Sequence, residues 1–272
     1  MISGKLPLIS CVCVTKDRFE LLKKSIFCYL NQNYQNKNLI ILSQSNDDTN
    51  KKIEKYIKDL SREDILFLAA PTMLTLGAMR NTSIELATGE IICQWDDDDL
   101  YHPNRLTNQY KCLKSDNRNV ASLYSNFLKY FANSKEVYWC DWLNESEYSH
   151  RFLCGSVMFY KSLFHMWENF YPERGAQSCC EEDLNVLEKL MLKGSIAPVL
   201  DGNEYVYVYH GVNTYDLDHH KLTLDIRWGK KVYTKEDLLK KQDLIEETFD
   251  LIQMDDIVKI KSLGEVAFTY TI

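Results

Sequence analysis

The chain has 272 residues, 45% of them apolar, with 10 glycines and 5 prolines. That suffices for one large packed domain and excludes collagen-like or low-complexity disorder. A formal net charge of −7 argues against a nucleic-acid binder, which needs a basic face, and no apolar run reaches the roughly 20 residues of a membrane-spanning helix.

In chain order, strand and helix alternate at first. Leu8–Thr15 is a short β-rich run, and Arg18–Gln32 sets Leu22, Ile26, Tyr29 and Leu30 at helical spacing, with Asp17 as its expected N-cap. Asn38–Ser43 is a strand, Asp47–Leu60 a helix with Ile53, Tyr56, Ile57 and Leu60 on one face, and Asp64–Ala69 a third strand. Gly77–Ala87 reads as a helix stopped by Gly89, Glu90–Trp95 as a fourth strand, and His102–Lys114 as a helix with Pro103 near its start. This alternation predicts an α/β fold with a mostly parallel sheet covered by helices on both faces, and ligands just beyond the carboxyl ends of its strands.

From about residue 120 the pattern changes. Val120–Phe131, Lys135–Leu143 and Arg151–Tyr160 read as strands, the last with Gly155 allowing a close backbone approach. Glu181–Gly194 is a helix with an acidic start, and Ile196–Leu200 and Tyr205–His210 are strands. The tail carries one helix, Thr234–Ile252, with Thr234 as cap and Asp237 as partial capping box. The nine cysteines include no C-x-x-C pair, and Met1–Val14 lacks the basic start of a secretory signal. Reduced thiols in a cytoplasmic protein are therefore expected, with contact at a membrane surface left open.

Four aspartates, Asp96–Asp99, leave the apolar strand directly. Such runs are usually solvated loops, but this one is followed by apolar residues and a helix start. Neighbouring charges about 4–6 Å apart repel by about 1 kcal/mol in water and by several when shielded from it. A magnesium or manganese ion would relieve that repulsion and complete its shell with substrate phosphates. In an extended segment Asp96 and Asp98 would face one way and Asp97 the other.

The order of "TKDR" after the first strand, "LGAMRNTSIELATGE", "IICQWDDDDLYHPNRL" and a late "EED" resembles glycosyltransferase family 2, over roughly residues 7–213. The resemblance implies a GT-A fold, Rossmann-like, with a nucleotide-binding half over 1–115, an acceptor-binding half over 116–215 and a small helical extension over 216–272. It implies a D-x-D at Asp96 and Asp98 for Mn2+ or Mg2+, Asp97 near the ribose, base and ribose contacts at Thr15 and Asp17, and a nucleotide contact at Arg80. Ser43 and Gln44 stand where the family usually carries an acidic pair; a Gln44 amide can both donate and accept, so it could still pair with a uracil edge. The resemblance makes Asp183 the catalytic base and Glu182 a positioning or acceptor-binding residue, and His210 a third metal ligand or diphosphate contact. The purely structural alternatives are helix capping for the acids at 181–183, worth about 0.3–1 kcal/mol, a surface arginine for Arg80 and a packing role for His210.

The implied activity is inverting transfer of a sugar from a nucleotide-sugar donor, UDP-linked in the first instance, to a hydroxyl of a glycan or other acceptor in surface polysaccharide biosynthesis. No nucleic-acid partner is expected, and self-association is left open. A GT-A scaffold that binds nucleotide or glycan without catalysis, a two-carboxylate glycosidase and a nucleotidyltransferase remain as alternatives. Tyr138, Trp139 and Trp142 are read as core, Trp142 with least support, and Cys179 and Cys180 as non-nucleophilic.

Overall fold

The computed structural model describes residues 6–70, 73–145, 147–174, 182–224, 231–254 and 256–271. Strand β1 (Ile9–Thr15) leads to helix α1 (Phe19–Leu30), β2 (Lys37–Ser43), α2 (Asp47–Leu60), β3 (Ile65–Ala69), α3 (Leu76–Leu86), β4 (Ile91–Gln94), β5 (Leu100–Tyr101) and α4 (Arg105–Lys114). Side-chain caps fix two helix starts: Asn46 accepts from the Thr49 amide ahead of α2, and Thr75 from the Ala78 amide ahead of α3. Helix α1 buries Leu22, Ser25, Ile26, Cys28 and Tyr29, one stripe at helical spacing.

The second half adds β6 (Asn119–Tyr124), β7 (Asn126–Phe131), β8 (Glu136–Asp141), β9 (Met158–Tyr160), α5 (Glu182–Met191), β10 (Ser195–Val199), β11 (Tyr205–Tyr209), α6 (Leu217–Leu222), β12 (Lys231–Val232), α7 (Lys235–Lys240), α8 (Gln242–Leu251), β13 (Val258–Ser262) and β14 (Glu265–Tyr270). The first sheet runs β10-β6-β9-β4-β1-β2-β3, parallel except for β9. Its central strands bury both faces, as a helix-covered parallel sheet must: Ile9, Cys11 and Cys13 join one core cluster, and Val12 joins the other with Ile40, Ile84 and Ile92.

A second, mixed sheet runs β14-β13-β8-β7-β11-β5, with β12 on β8. It arises where the expected strand 120–131 splits. At Ser125 the chain passes from one sheet to the other; its amide donates to the Val199 carbonyl at 3.1 Å and its carbonyl accepts from the Trp142 amide at 2.9 Å. The expected strand 151–160 shrinks to β9, preceded by short 3-10 turns at Tyr148–Arg151 and Cys154–Ser156. The tail, expected to be one helix, breaks at Lys241 into α7 and α8 and adds the β13–β14 hairpin, whose first strand pairs in parallel with β8. Thr234 does cap α7, accepting from the Asp237 amide. Asp17 caps nothing: Arg18 holds that position, and Asp17 adopts a left-handed φ of 54°.

The seven described cysteines are free thiols; Cys179 and Cys180 lie outside the described residues. Tyr138, Trp139 and Trp142 are buried as expected, Trp142 at the edge of a cavity. Among the described residues no helix is long and apolar enough to cross a membrane.

Candidate active site

The carboxyl ends of β1, β2 and β4 meet on one rim. Beyond β4 the aspartate run turns rather than continuing extended, so strand alternation fails there. Its backbone is held by the Ser25 hydroxyl and the Tyr101 hydroxyl, both donating to the Asp96 carbonyl at 3.0 and 3.1 Å. Asp97 accepts from the Thr15 hydroxyl at 2.6 Å. Asp98 accepts from Arg18 Nη1 at 2.8 Å, which also lies 3.5 Å from Asp97, so Asp97 and Asp98 share one cation. Asp98 Oδ2 is 3.0 Å from His210 Nε2, at the end of β11. Asp96 points elsewhere, toward Arg80 at 3.4 Å and the Gln94 amide at 3.2 Å. Asp99 is buried behind them and accepts from the Tyr205 hydroxyl at 2.7 Å and the Val208 amide at 2.8 Å. Burial, reinforced by the Asp98 charge, pushes the Asp97 carboxyl up to about 7 and holds Asp99 well above the carboxylate range.

Arg80, on α3, ties this run to the start of α5. Its Nη2 lies 3.4 Å from Glu182 and 3.5 Å from Asp183, and its guanidinium 5.6 Å from the Tyr171 ring centroid. The position expected to touch the nucleotide thus bridges three carboxylates. Asp183 Oδ2 also accepts from Gln94 Nε2 at 3.4 Å, while Oδ1 and Arg80 Nε have no partner among the described residues. Burial pushes the Asp183 carboxyl up to about 7; Arg80 opposes the shift, and Glu182 and Asp96 add to it. Gly155 makes this closeness possible, because a Cβ there would stand 2.8 Å from Asp96 Oδ2 and 3.8 Å from Asp183 Oδ2.

These groups line one cavity of about 1040 Å³. Thr15, Gln44, Arg80, Asp96, Asp97, Asp98, Glu182 and Asp183 all reach it. Gln44 donates its amide to the Leu74 carbonyl at 3.2 Å. His210 stands just behind the wall on Asp98. Asp17 is exposed and outside the lining; its carboxylate accepts from the Asn46 amide and side chain at 2.9 and 2.7 Å. On the side away from the first strands, Trp142, Phe152, Leu153, Leu184 and Leu222 form an apolar wall, with the Trp142 indole donating to the Thr223 carbonyl. Sequence reasoning assigned no role to Arg18, Gln94 or Tyr171. Only Arg18 carried a usable signal: a basic residue in the first strand-to-helix turn of a sheet whose rim is acidic.

The chemistry of the donor set fits a hard divalent cation in one respect and limits it in another. Asp98 and His210 supply an oxygen and a nitrogen 3.0 Å apart, both acceptable to manganese. Among the described residues no three His, Cys, Asp or Glu side chains converge as a complete ligand set, so such an ion would draw further oxygens from a substrate, as magnesium and manganese commonly do.

A sequence profile of glycosyl transferase family 2 matches residues 10–166. The chain belongs to glycosyl transferase family 2. It is 35% identical over 122 residues to an uncharacterized glycosyltransferase of Methanocaldococcus jannaschii, a match covering 44% of this chain and 41% of that one. It is 34% identical over 101 residues to WcaA of Escherichia coli, named for a glycosyl transferase step of colanic acid biosynthesis, covering 37% and 36%. The matches thus span less than half of either relative. Among solved structures, Staphylococcus aureus TarS 1–349 in complex with UDP-GlcNAc superposes with a TM-score of 0.59 at 17% identity, covering 89% of this chain and 66% of that one. A mannosyltransferase of Pyrobaculum calidifontis in complex with GDP-Man and Mn2+ gives 0.58 at 16% identity, covering 76% and 58%. These likenesses place the family 2 chain in the GT-A fold.

Proposed function

We propose that this family 2 chain transfers a glycosyl group, with inversion, from a nucleotide-sugar donor to a hydroxyl of an acceptor. One observation carries the reading: Asp96, the first of the aspartate run, and Asp183, far apart in sequence, meet across Arg80 in a single cavity. The donor lies along the rim of β1 and β2, with Gln44 at the base and Thr15 and Asp97 near the ribose; Asp17, outside the cavity, supports this edge through Asn46. Mn2+ or Mg2+ held by Asp98 and His210 would neutralise charge on the departing diphosphate. Asp96 holds Arg80 and faces Asp183. Asp183 removes the proton from the acceptor hydroxyl, its carboxyl tuned by burial toward neutrality as a general base requires. Glu182 positions Arg80, and the apolar wall from Trp142 to Leu222 receives the acceptor.

On this reading residues 1–115 serve as the donor half and 116–215 as the acceptor half, while the segment from 216 adds Leu222 to the acceptor wall and β12–β14 to the second sheet. The relative named for colanic acid biosynthesis, together with UDP-GlcNAc and GDP-Man in the two structural neighbours, supports a polysaccharide acceptor and a nucleotide-diphosphate sugar, with UDP-sugars the first to test. A screen of nucleotide sugars for metal-dependent hydrolysis and transfer tests the reading. Turnover with at least one donor is expected, lost on chelation; binding without turnover of any donor would instead make the chain a non-catalytic member of its fold.

A further inference from the structure

Arg18 occupies a place that the reading above leaves unexplained. It opens α1 without a side-chain capping bond, and its side chain is 28% exposed while those of Asp97 and Asp98 are 5% and 15% exposed. Its guanidinium covers the acidic corner from the solvent side. Nη1 reaches Asp98 Oδ2 at 2.8 Å and Asp97 Oδ1 at 3.5 Å, and Nη2 donates to the Val212 carbonyl at 2.8 Å. Val212 lies two residues beyond His210, whose Nε2 is 3.0 Å from the same Asp98 oxygen. One side chain therefore compensates two carboxylates and ties down the segment after β11.

Asp98 Oδ2 already has two partners, so an ion that coordinates this oxygen must displace one. His210 is nine-tenths buried and is itself a metal ligand by chemistry. Arg18 is long, partly exposed and cannot coordinate a cation, so it is the partner that leaves. A guanidinium released beside a diphosphate finds a matching acceptor, since its planar fork fits two phosphate oxygens. We propose that Arg18 is a resident counter-ion of the acidic corner: a divalent cation displaces it from Asp98, and the freed guanidinium then binds the donor's diphosphate. This rests on the function proposed above, and it adds an exchange of cations on Asp98 to that reading.

The test is calorimetric titration of the full chain with MnCl2 alone, then with UDP and GDP in the presence and absence of MnCl2, for the wild type, Arg18→Met and Arg18→Lys. Removing the competing charge should tighten Mn2+ binding to Arg18→Met by up to about fivefold, the range of a partly exposed ion pair. The same variant should bind the nucleoside diphosphate about tenfold more weakly, the loss of one charge-assisted bond. Arg18→Lys keeps the charge without the fork and should bind Mn2+ like the wild type and the diphosphate at intermediate strength. The opposite signs exclude misfolding, which weakens both. Unchanged or weaker Mn2+ binding by Arg18→Met, or unchanged diphosphate binding, overturns the exchange while leaving the function intact. Diphosphate binding by the wild type that is equally tight without Mn2+ also overturns it, and makes Arg18 a permanent substitute for the ion. A wild type that binds neither Mn2+ nor either nucleoside diphosphate overturns the proposed function and this inference together.

Discussion

Asp96, Asp97 and Asp98 face the cavity, and Asp99, one residue on, sits behind it; the same side chain serves two purposes in adjacent positions. In front, the carboxylates meet Arg18, Arg80 and His210, brought in from three parts of the chain, at 2.8–3.5 Å, and Arg80 Nε and Asp183 Oδ1 lack partners among the described residues. Behind, Asp99 is held by a hydroxyl and an amide at 2.7 and 2.8 Å, and Glu204 accepts from the Tyr124 hydroxyl at 2.9 Å within the aromatic packing of Tyr101, Tyr124 and Tyr205. The front is arranged to change partners, and the back is a fixed frame that keeps the turn in register. Charge removal should therefore affect function in front and stability behind.

The largest effect belongs to Asp183, the proposed base. Asp183→Asn should lower the transfer rate by about 10³-fold, within the span of general base catalysis, with an unchanged melting temperature; a rate within a few-fold of wild type would remove Asp183 from the mechanism. The frame comes next. Asp99→Ala strands the Tyr205 hydroxyl and the Val208 amide and should destabilise the fold by about 3 kcal/mol in urea titration. Asp97→Asn should keep full stability or gain about 1 kcal/mol above pH 7, because the wild-type carboxyl ionises there against burial and Asp98. Equal losses in the two variants would erase the distinction between front and back.

A pH profile sharpens it further. Burial pushes the Glu204 carboxyl from the ordinary 4.5 up to about 7. A raised carboxyl binds its proton more tightly in the folded chain, so its contribution is present below about pH 4.5 and lost as pH rises through about 7. The wild type should lose about 3 kcal/mol relative to Glu204→Gln across that window; parallel stability curves would contradict the assignment. The smallest effect is a shift of profile. Arg80 opposes the rise in the Asp183 carboxyl, so Arg80→Met should move the acid limb of kcat/KM upward by about one pH unit. A downward shift would mean that Arg80 acts elsewhere.

Much of the first half was legible because local signals and tertiary demand agree there. Alternating apolar strands and striped helices through Lys114 predict the parallel sheet, and the rule that ligands gather at strand ends brings Thr15, Ser43 and the aspartates to one rim. The GT-A fold was readable from the order of the motifs. What escaped depends on pairing partners. Residues 120–131 carry uniform strand propensity, and what divides them at Ser125 is which strands each half pairs with, β10 and β9 on one side and β11 and β8 on the other. The β13–β14 hairpin offers little beyond Gly264 at φ 89°, and the break at Lys241 interrupts an amphipathic pattern that continues on both sides. Asp17 looked like a cap by residue type, yet its backbone turns left-handed and its carboxylate reaches Asn46. The partners of each aspartate were hidden because a turn, not a strand, sets their directions.

The most direct test of the central claim, that the front of the run grips a cation-bound diphosphate, is calorimetric titration of UDP and GDP into the wild type and Asp98→Ala, with and without MnCl2. The account predicts binding of at least one nucleotide by the wild type that depends on Mn2+ and is lost in Asp98→Ala. Binding of equal strength in the variant, or no Mn2+ dependence in the wild type, would contradict it.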